Sequence, residues 1–221
     1  RSHNPIVLAE SAGYVDASEG VDIIPYTADE IQQTPYFFLN IVVGGVHKIG
    51  NHHYYIEPAN GGIIAKNIAD KLSEVDKAHA DYYQANYEAF QKKLDGKLKE
   101  WDKMMEPYKG TPIVMYHRSW NYLARRHDLP IVGYLEPRET FQLDSRHTAS
   151  VIRQMKKYKS KVILEATYYH SDQTEKIAKD AGAVLVTLPA SISHDRGIDD
   201  YFQLFDQIYD KLTAALKQAK G

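Results

Sequence analysis

The chain has no cysteine among its 221 residues, which excludes both a disulfide framework and a thiolate-held metal. Any metal bound here has only nitrogen and oxygen donors to draw on. No apolar run reaches the ~18 residues of a membrane-crossing helix. No G-x-x-x-x-G-K-[ST] or G-x-G-x-x-G motif occurs, so a phosphate-cradling loop has no support. An excess of one charge sign is also missing. Lys and Arg number 27 against 29 Asp and Glu, for a net charge of −2 and a pI near 6.6, which argues against nucleic acid or anionic membrane as a partner. Phenylalanine is sparse, at 6 residues, while tyrosine reaches 17; rings with a polar tip suit clefts and interfaces as well as cores.

What is present is a change of pattern along the chain. Pro5–Ala9, the turn and run from Ser18 to Pro25, and Phe37–Val43 read as strands in the first sixty residues. Too little helical pattern accompanies them to cover a sheet on both faces. From about Gly62 to Met105 apolar residues recur three, four or seven apart, among them Ile64, Ile68, Leu72, Leu94, Leu98 and Trp101. Read as one continuous helix, that is ~44 residues and ~65 Å. Short strands and helices then alternate: 112–116, 131–135, 161–165 and 184–188 as strands, with 119–127, 145–158, 171–181 and 199–217 as helices. Such alternation predicts a parallel α/β sheet, whose ligands lie at the carboxyl ends of the strands. The predicted architecture is α/β, in three parts: residues 1–61 as the remainder of an amino-terminal lobe, 62–106 as a long linking helix, and 107–221 as a carboxyl-terminal α/β lobe.

The chemistry concentrates where strands end. His53 lies in Gly50-Asn51-His52-His53-Tyr54-Tyr55-Ile56-Glu57-Pro58, and His117 closes Ile113-Val114-Met115-Tyr116. Neutral imidazole is the commonest protein ligand for zinc, although a strand-end histidine can equally be a hydrogen-bonded core residue. Glu165 ends Val162-Ile163-Leu164 and offers a carboxylate, with a capping or salt-bridged acid as the plainer reading. Glu136 and the Pro189–Ile192 segment also sit at strand ends. His47, His52, His170 and His194 read as solvated loop residues, and His79, His127 and His147 as surface residues on helical patterns.

At these residues a resemblance enters. Val46-His47-Lys48-Ile49-Gly50-Asn51-His52-His53-Tyr54-Tyr55-Ile56-Glu57-Pro58 resembles the H-p-l-G-N-P-H-y-W-l-D-P signature of the zinc/manganese substrate-binding proteins of ABC transporters. Tyr116-His117-Arg118-Ser119-Trp120-Asn121-Tyr122-Leu123 resembles that family's Y-H-x-x-w-x-Y loop. Leu135-Glu136-Pro137, His147–Lys157 and Asp200–Asp206 match its carboxyl-terminal lobe. The resemblance implies two α/β lobes bridged by one long backbone helix, with the metal between them. It makes His53 and His117 metal ligands, and histidine at 117 favours zinc over manganese. Ala190 stands where many members carry an aspartate ligand, so Glu165 is expected to complete the site, directly or through a water. His52, Tyr55 and Glu57 replace the motif's proline, tryptophan and aspartate.

The family's opening stretch and first histidine have no counterpart before Arg1, so the resemblance implies an incomplete amino-terminal lobe. Such a lobe is expected to bind zinc more weakly than a full-length parent and to expose apolar faces near Val7, Ile23 and Ile41 to a second copy. The implied activity is metal binding and delivery to an ABC-type permease, at the periplasmic or outer face of the membrane. Contact with the membrane would come only through the permease or through a lipid anchor outside this chain. The competing reading is a zinc hydrolase with an open coordination position and Glu136 or Glu165 as general base.

Overall fold

The helical stretch that follows the His53 loop is divided in two: α1 (Asn60–Val75) and α2 (Ala80–Met105). The computed structural model describes Leu8 and residues 11–26, 50–136 and 143–220. After α2 come β1 (Ile113–Met115), α3 (Asn121–Arg126), β2 (Ile131–Tyr134), α4 (Ser145–Tyr158), β3 (Val162–Ala166), α5 (Asp172–Ala181), β4 (Val184–Leu188) and α6 (Tyr201–Lys220). The strands expected at Pro5–Ala9 and Phe37–Val43 lie outside the described residues. The strand expected before Pro25 is only a turn and an extended stretch, joined to the His53 loop by a single antiparallel bridge between Pro25 and Gly50.

A long helix is present, the 26-residue α2, but it does not run on from α1. Asp76 leaves the helical region, at φ −128° and ψ 72°, and α2 doubles back along α1. Gln84 Nε2 reaches Asp70 Oδ1 at 3.2 Å and Ser73 Oγ at 3.0 Å. Tyr83 and the His79 ring both bond Asp76 Oδ2, at 2.8 Å each. The apolar period continues through the break, although Ile68, Leu72 and Val75 of α1 are exposed; periodicity alone carries no sign of a reversal.

The sheet order is β2-β1-β3-β4, with every pairing parallel. Successive residues alternate between its two faces. Ile113, Met115, Val162, Leu164 and Ala166 pack with Trp101 and Met105 of α2 and with Phe205, Tyr209, Leu212 and Leu216 of α6. Val114 and Ile163 face the other way, against Val151 and Met155 of α4 and Ile177 and Ala178 of α5. The result is a three-layer α/β/α lobe whose strand ends share one edge.

Local chemistry fixes the elements around that edge. Asp144 caps α4 by accepting the His147 N–H at 2.8 Å. Ser171 and Thr174 form a capping box at the start of α5, and Gly182 ends it at φ +64°, a conformation that costs glycine little. The amino-terminal end of α1 is held by Glu57, whose two carboxylate oxygens accept the N–H groups of Ala59 (3.1 Å) and Asn60 (3.2 Å). Glu57 also meets Arg126 at 3.1 Å, and Arg126 forks onto Asp102 at 2.9 and 2.8 Å. This chain of charges ties the His53 loop to α3 and α2. Tyr201 of α6 donates to the Pro58 carbonyl at 2.9 Å, and a side chain at Gly61 would collide with that phenol.

Candidate metal centre

His53 sits in a 3₁₀ turn, His53–Ile56, directly before α1, and His117 sits between β1 and the 3₁₀ turn Arg118–Trp120. The segments are 64 residues apart in sequence, yet the two imidazole centroids are 5.2 Å apart, ring edge to ring face at 72°. Both residues are buried. Burial, together with the neighbouring His52 and His117 rings, pushes the His53 imidazole down from its ordinary 6.5 to about 3. A histidine held neutral keeps a lone pair for a metal.

Asn51 decides which nitrogen carries that lone pair. Its Oδ1 lies 2.9 Å from His53 Nδ1 and also accepts the His53 backbone N–H at 2.9 Å. An amide oxygen can only accept, so His53 Nδ1 carries the proton and Nε2 is left as the donor to a ligand. The same amide gives Nδ2–H to the Arg118 carbonyl at 2.8 Å, joining the His53 loop to the residue after His117. Tyr122 adds a second tie: its hydroxyl donates to the Asn51 carbonyl at 2.6 Å and accepts the Ile24 N–H at 3.0 Å. These positioning roles were not legible beforehand, although Asn51 stands two places before His53 and Tyr122 closes the second motif.

The strand-end carboxylates separate by face. Pairing of Met115 with Tyr134 in β2 and with Leu164 in β3 continues to His117 beside Glu136, and Tyr116 beside Glu165. Glu136 Oε2 lies 2.8 Å from His117 Nδ1. The imidazole N–H direction misses that oxygen, however, and neither buried atom has a hydrogen-bond partner. Glu165 is fully buried on the other face of the sheet. Its Oε1 accepts from His170 Nδ1 at 2.6 Å and from the Thr187 hydroxyl at 2.8 Å, and it holds the His170 imidazole above its ordinary range. The carboxylate found beside the histidine pair is thus Glu136. A strand-end position is visible in sequence, whereas the face it takes depends on where each strand stops.

Other histidines disperse. His127, expected at the surface, is buried and bonded to the Tyr209 hydroxyl at 2.8 Å. His147 reaches the Tyr134 carbonyl at 2.8 Å, while His79 and His194 are exposed and paired with Asp76 and Asp199. Ala190 is buried and brings no oxygen donor in its side chain. Among the described residues, no group of three or more His, Asp or Glu side chains stands in metal-holding geometry; the structure assembles the pair, with Glu136 alongside. Among the described residues, too, no helix is long and apolar enough to cross a membrane.

The chain is 33% identical over 81 residues to the high-affinity zinc uptake system protein ZnuA of Brucella abortus, covering 37% of this chain and 24% of that protein. It is 27% identical over 190 residues to the iron-binding protein YfeA of Yersinia pestis, covering 81% and 60%. It therefore spans about a quarter of the Brucella protein's length and under two thirds of the Yersinia protein's. The fold superposes on the Zn(II)-bound AdcAII E280Q variant of Streptococcus pneumoniae with a TM-score of 0.68 at 25% identity, over 90% of this chain and 69% of that one. The manganese complex of FpvC from Pseudomonas aeruginosa gives 0.73 at 21% identity, over 97% and 75%. The family model for zinc-uptake complex component A, periplasmic, matches residues 4–215, and this protein belongs to that family.

Proposed function

We propose that this protein binds a divalent transition metal, zinc in preference to manganese, between the His53 and His117 loops, and delivers it to an ABC-type permease at the periplasmic or outer face of a membrane. The observation that carries the reading is the buried histidine pair. Two imidazoles from distant segments meet edge to face at 5.2 Å, with His53 kept neutral by burial and its Nδ1 proton committed to Asn51. Nitrogen donors favour zinc over the harder manganese ion. The metal is cargo, so what the fold has to supply is a shaped set of donors and a way to let go. Binding without bond-making fits a family of uptake components better than hydrolysis does.

The test is a competition titration of the metal-free protein with zinc, alongside His53→Ala and His117→Ala. One zinc per chain is expected, lost or strongly weakened in both variants. A metal that binds only the folded state also stabilises it, by about 4 kcal/mol at a thousandfold excess over Kd. Zinc bound as tightly by both variants as by the parent would refute the site.

A further inference from the structure

We infer that Glu136 is the anionic donor of this site: its carboxylate coordinates the same ion as His53 and His117. The inference rests on the proposed metal-binding reading and adds a residue to it. Glu136 leaves β2 as His117 leaves β1, its backbone N–H clamped to the Tyr116 carbonyl at 2.7 Å. That clamp sets the Glu136 carboxylate beside the imidazole, with Oε2 2.8 Å from Nδ1.

Two features of this contact suit a pair of cation donors. A carboxylate oxygen taken out of water is strongly disfavoured unless hydrogen bonds or a positive charge compensate it. Glu136 is buried, and Oε2 has no hydrogen-bond partner at all. His117 Nδ1 is likewise buried and without a partner. The two atoms lie within hydrogen-bonding distance, but the N–H does not aim at the oxygen. They are therefore placed as neighbouring donors rather than as donor and acceptor.

Their spacing is close to what a metal shell requires. Zn–N and Zn–O bonds of about 2.0–2.2 Å in a tetrahedron hold donor atoms about 3.3 Å apart. To hold one ion, Nδ1 and Oε2 would part by ~0.5 Å and the His53 ring would have to close on them, since the three side chains do not stand in metal-holding geometry as they are. Two neutral imidazoles and one carboxylate would leave a bound Zn²⁺ with a single net positive charge, and the fourth position open to water. Glu165 Oε2 is also buried without a hydrogen-bond partner, but Glu165 lies on the opposite face of the sheet, where its Oε1 accepts from His170 and Thr187, so it is not placed beside the histidine pair.

The experiment compares zinc affinity of the parent, Glu136→Gln and Glu165→Gln, together with a crystal structure of the zinc-loaded parent. Expected are a loss of affinity for Glu136→Gln at or beyond the roughly 10–100-fold typical of supporting residues, near-parental affinity for Glu165→Gln, and a Glu136 oxygen about 2.0–2.2 Å from zinc. The crystal structure decides the matter even where Glu136→Gln does not fold. Zinc held by the histidines with Glu136 turned away, or only bonded to His117, would overturn the inference and leave the binding reading intact. A parent that binds no zinc would overturn both.

Discussion

Removing the Asn51 side chain should separate positioning from simple cohesion. The amide makes three buried or half-buried hydrogen bonds: to the His53 N–H, to His53 Nδ1 and to the Arg118 carbonyl. Asn51→Ala deletes all three and leaves their partners to be satisfied by entering water or not at all. At about 1 kcal/mol net per bond, folding stability should fall by about 3 kcal/mol. The larger consequence concerns His53. Without Oδ1 its Nδ1 proton has no fixed acceptor, so either tautomer can form and the ring can rotate about χ2. Groups that orient a histidine ligand typically contribute 10–100-fold to metal affinity, about 1.4–2.8 kcal/mol at 25 °C. Urea unfolding of the metal-free protein gives the first quantity and competition titration with zinc the second. Asn51→Asp keeps the acceptor for His53 but sets a carboxylate against the Arg118 carbonyl, so it should retain more affinity than stability. Zinc affinity unchanged in Asn51→Ala despite a destabilised fold would refute the orienting role and reduce Asn51 to a connection between loops.

Burial, and the nearby Arg126 guanidinium, lower His127 to about 4 from an ordinary 6.5, against an opposing pull from Asp102 and Asp128. The unfolded chain then takes up a proton below pH 6.5 that the folded one refuses until about pH 4, so stability falls by about 2 kcal/mol between pH 7 and 5. His127→Gln, which can still meet Tyr209, should flatten that part of a pH–stability curve, and parallel curves for parent and variant would contradict it. Glu57→Ala removes both the support of the first α1 N–H groups and a partner of Arg126; a cap alone is worth about 0.5–2 kcal/mol, and a loss below that range in chemical denaturation would show the network to be redundant. Trp101 is fully buried, stacked on Tyr209 at 5.3 Å, and donates from Nε1 to Asp206 at 2.9 Å. Trp101→Ala should cost about 3–5 kcal/mol, with a circular-dichroism melt that hardly moves as the contrary result.

The carboxyl-terminal lobe was legible almost element by element, because each boundary carries its own chemistry. Pro112 precedes β1, Asp144 caps α4, and Gly182 closes α5 where a positive φ is needed. The reversal between α1 and α2 was hidden, since Asp76–His79 contains neither glycine nor proline and both helices keep an apolar face. His53 and His117 stood out through motif order, and their proximity is a property of the fold. Glu136 and Glu165 were indistinguishable in sequence, as each ends a strand. Only the register of three parallel strands assigns one to the His117 side and the other to the Tyr116 side. His127 reads as a surface residue in sequence for a related reason. It caps the six-residue α3, which is too short to tell a buried face from an exposed one, and the Tyr209 hydroxyl that satisfies its ring comes from α6.

The stitching of the two loops bears on residence time. The Asn51 amide and the Tyr122 hydroxyl bind one loop to the other through the Arg118, Asn51 and Ile24 main chain. On the proposed reading, a metal held between them would leave either past standing walls or after these bonds open together. Three neutral bonds at about 1 kcal/mol each would make the opened form about a hundredfold rarer than the closed one, and departure slower in proportion. Anything that pulls on the Arg118–Trp120 turn from outside would shorten the dwell without touching a single donor atom.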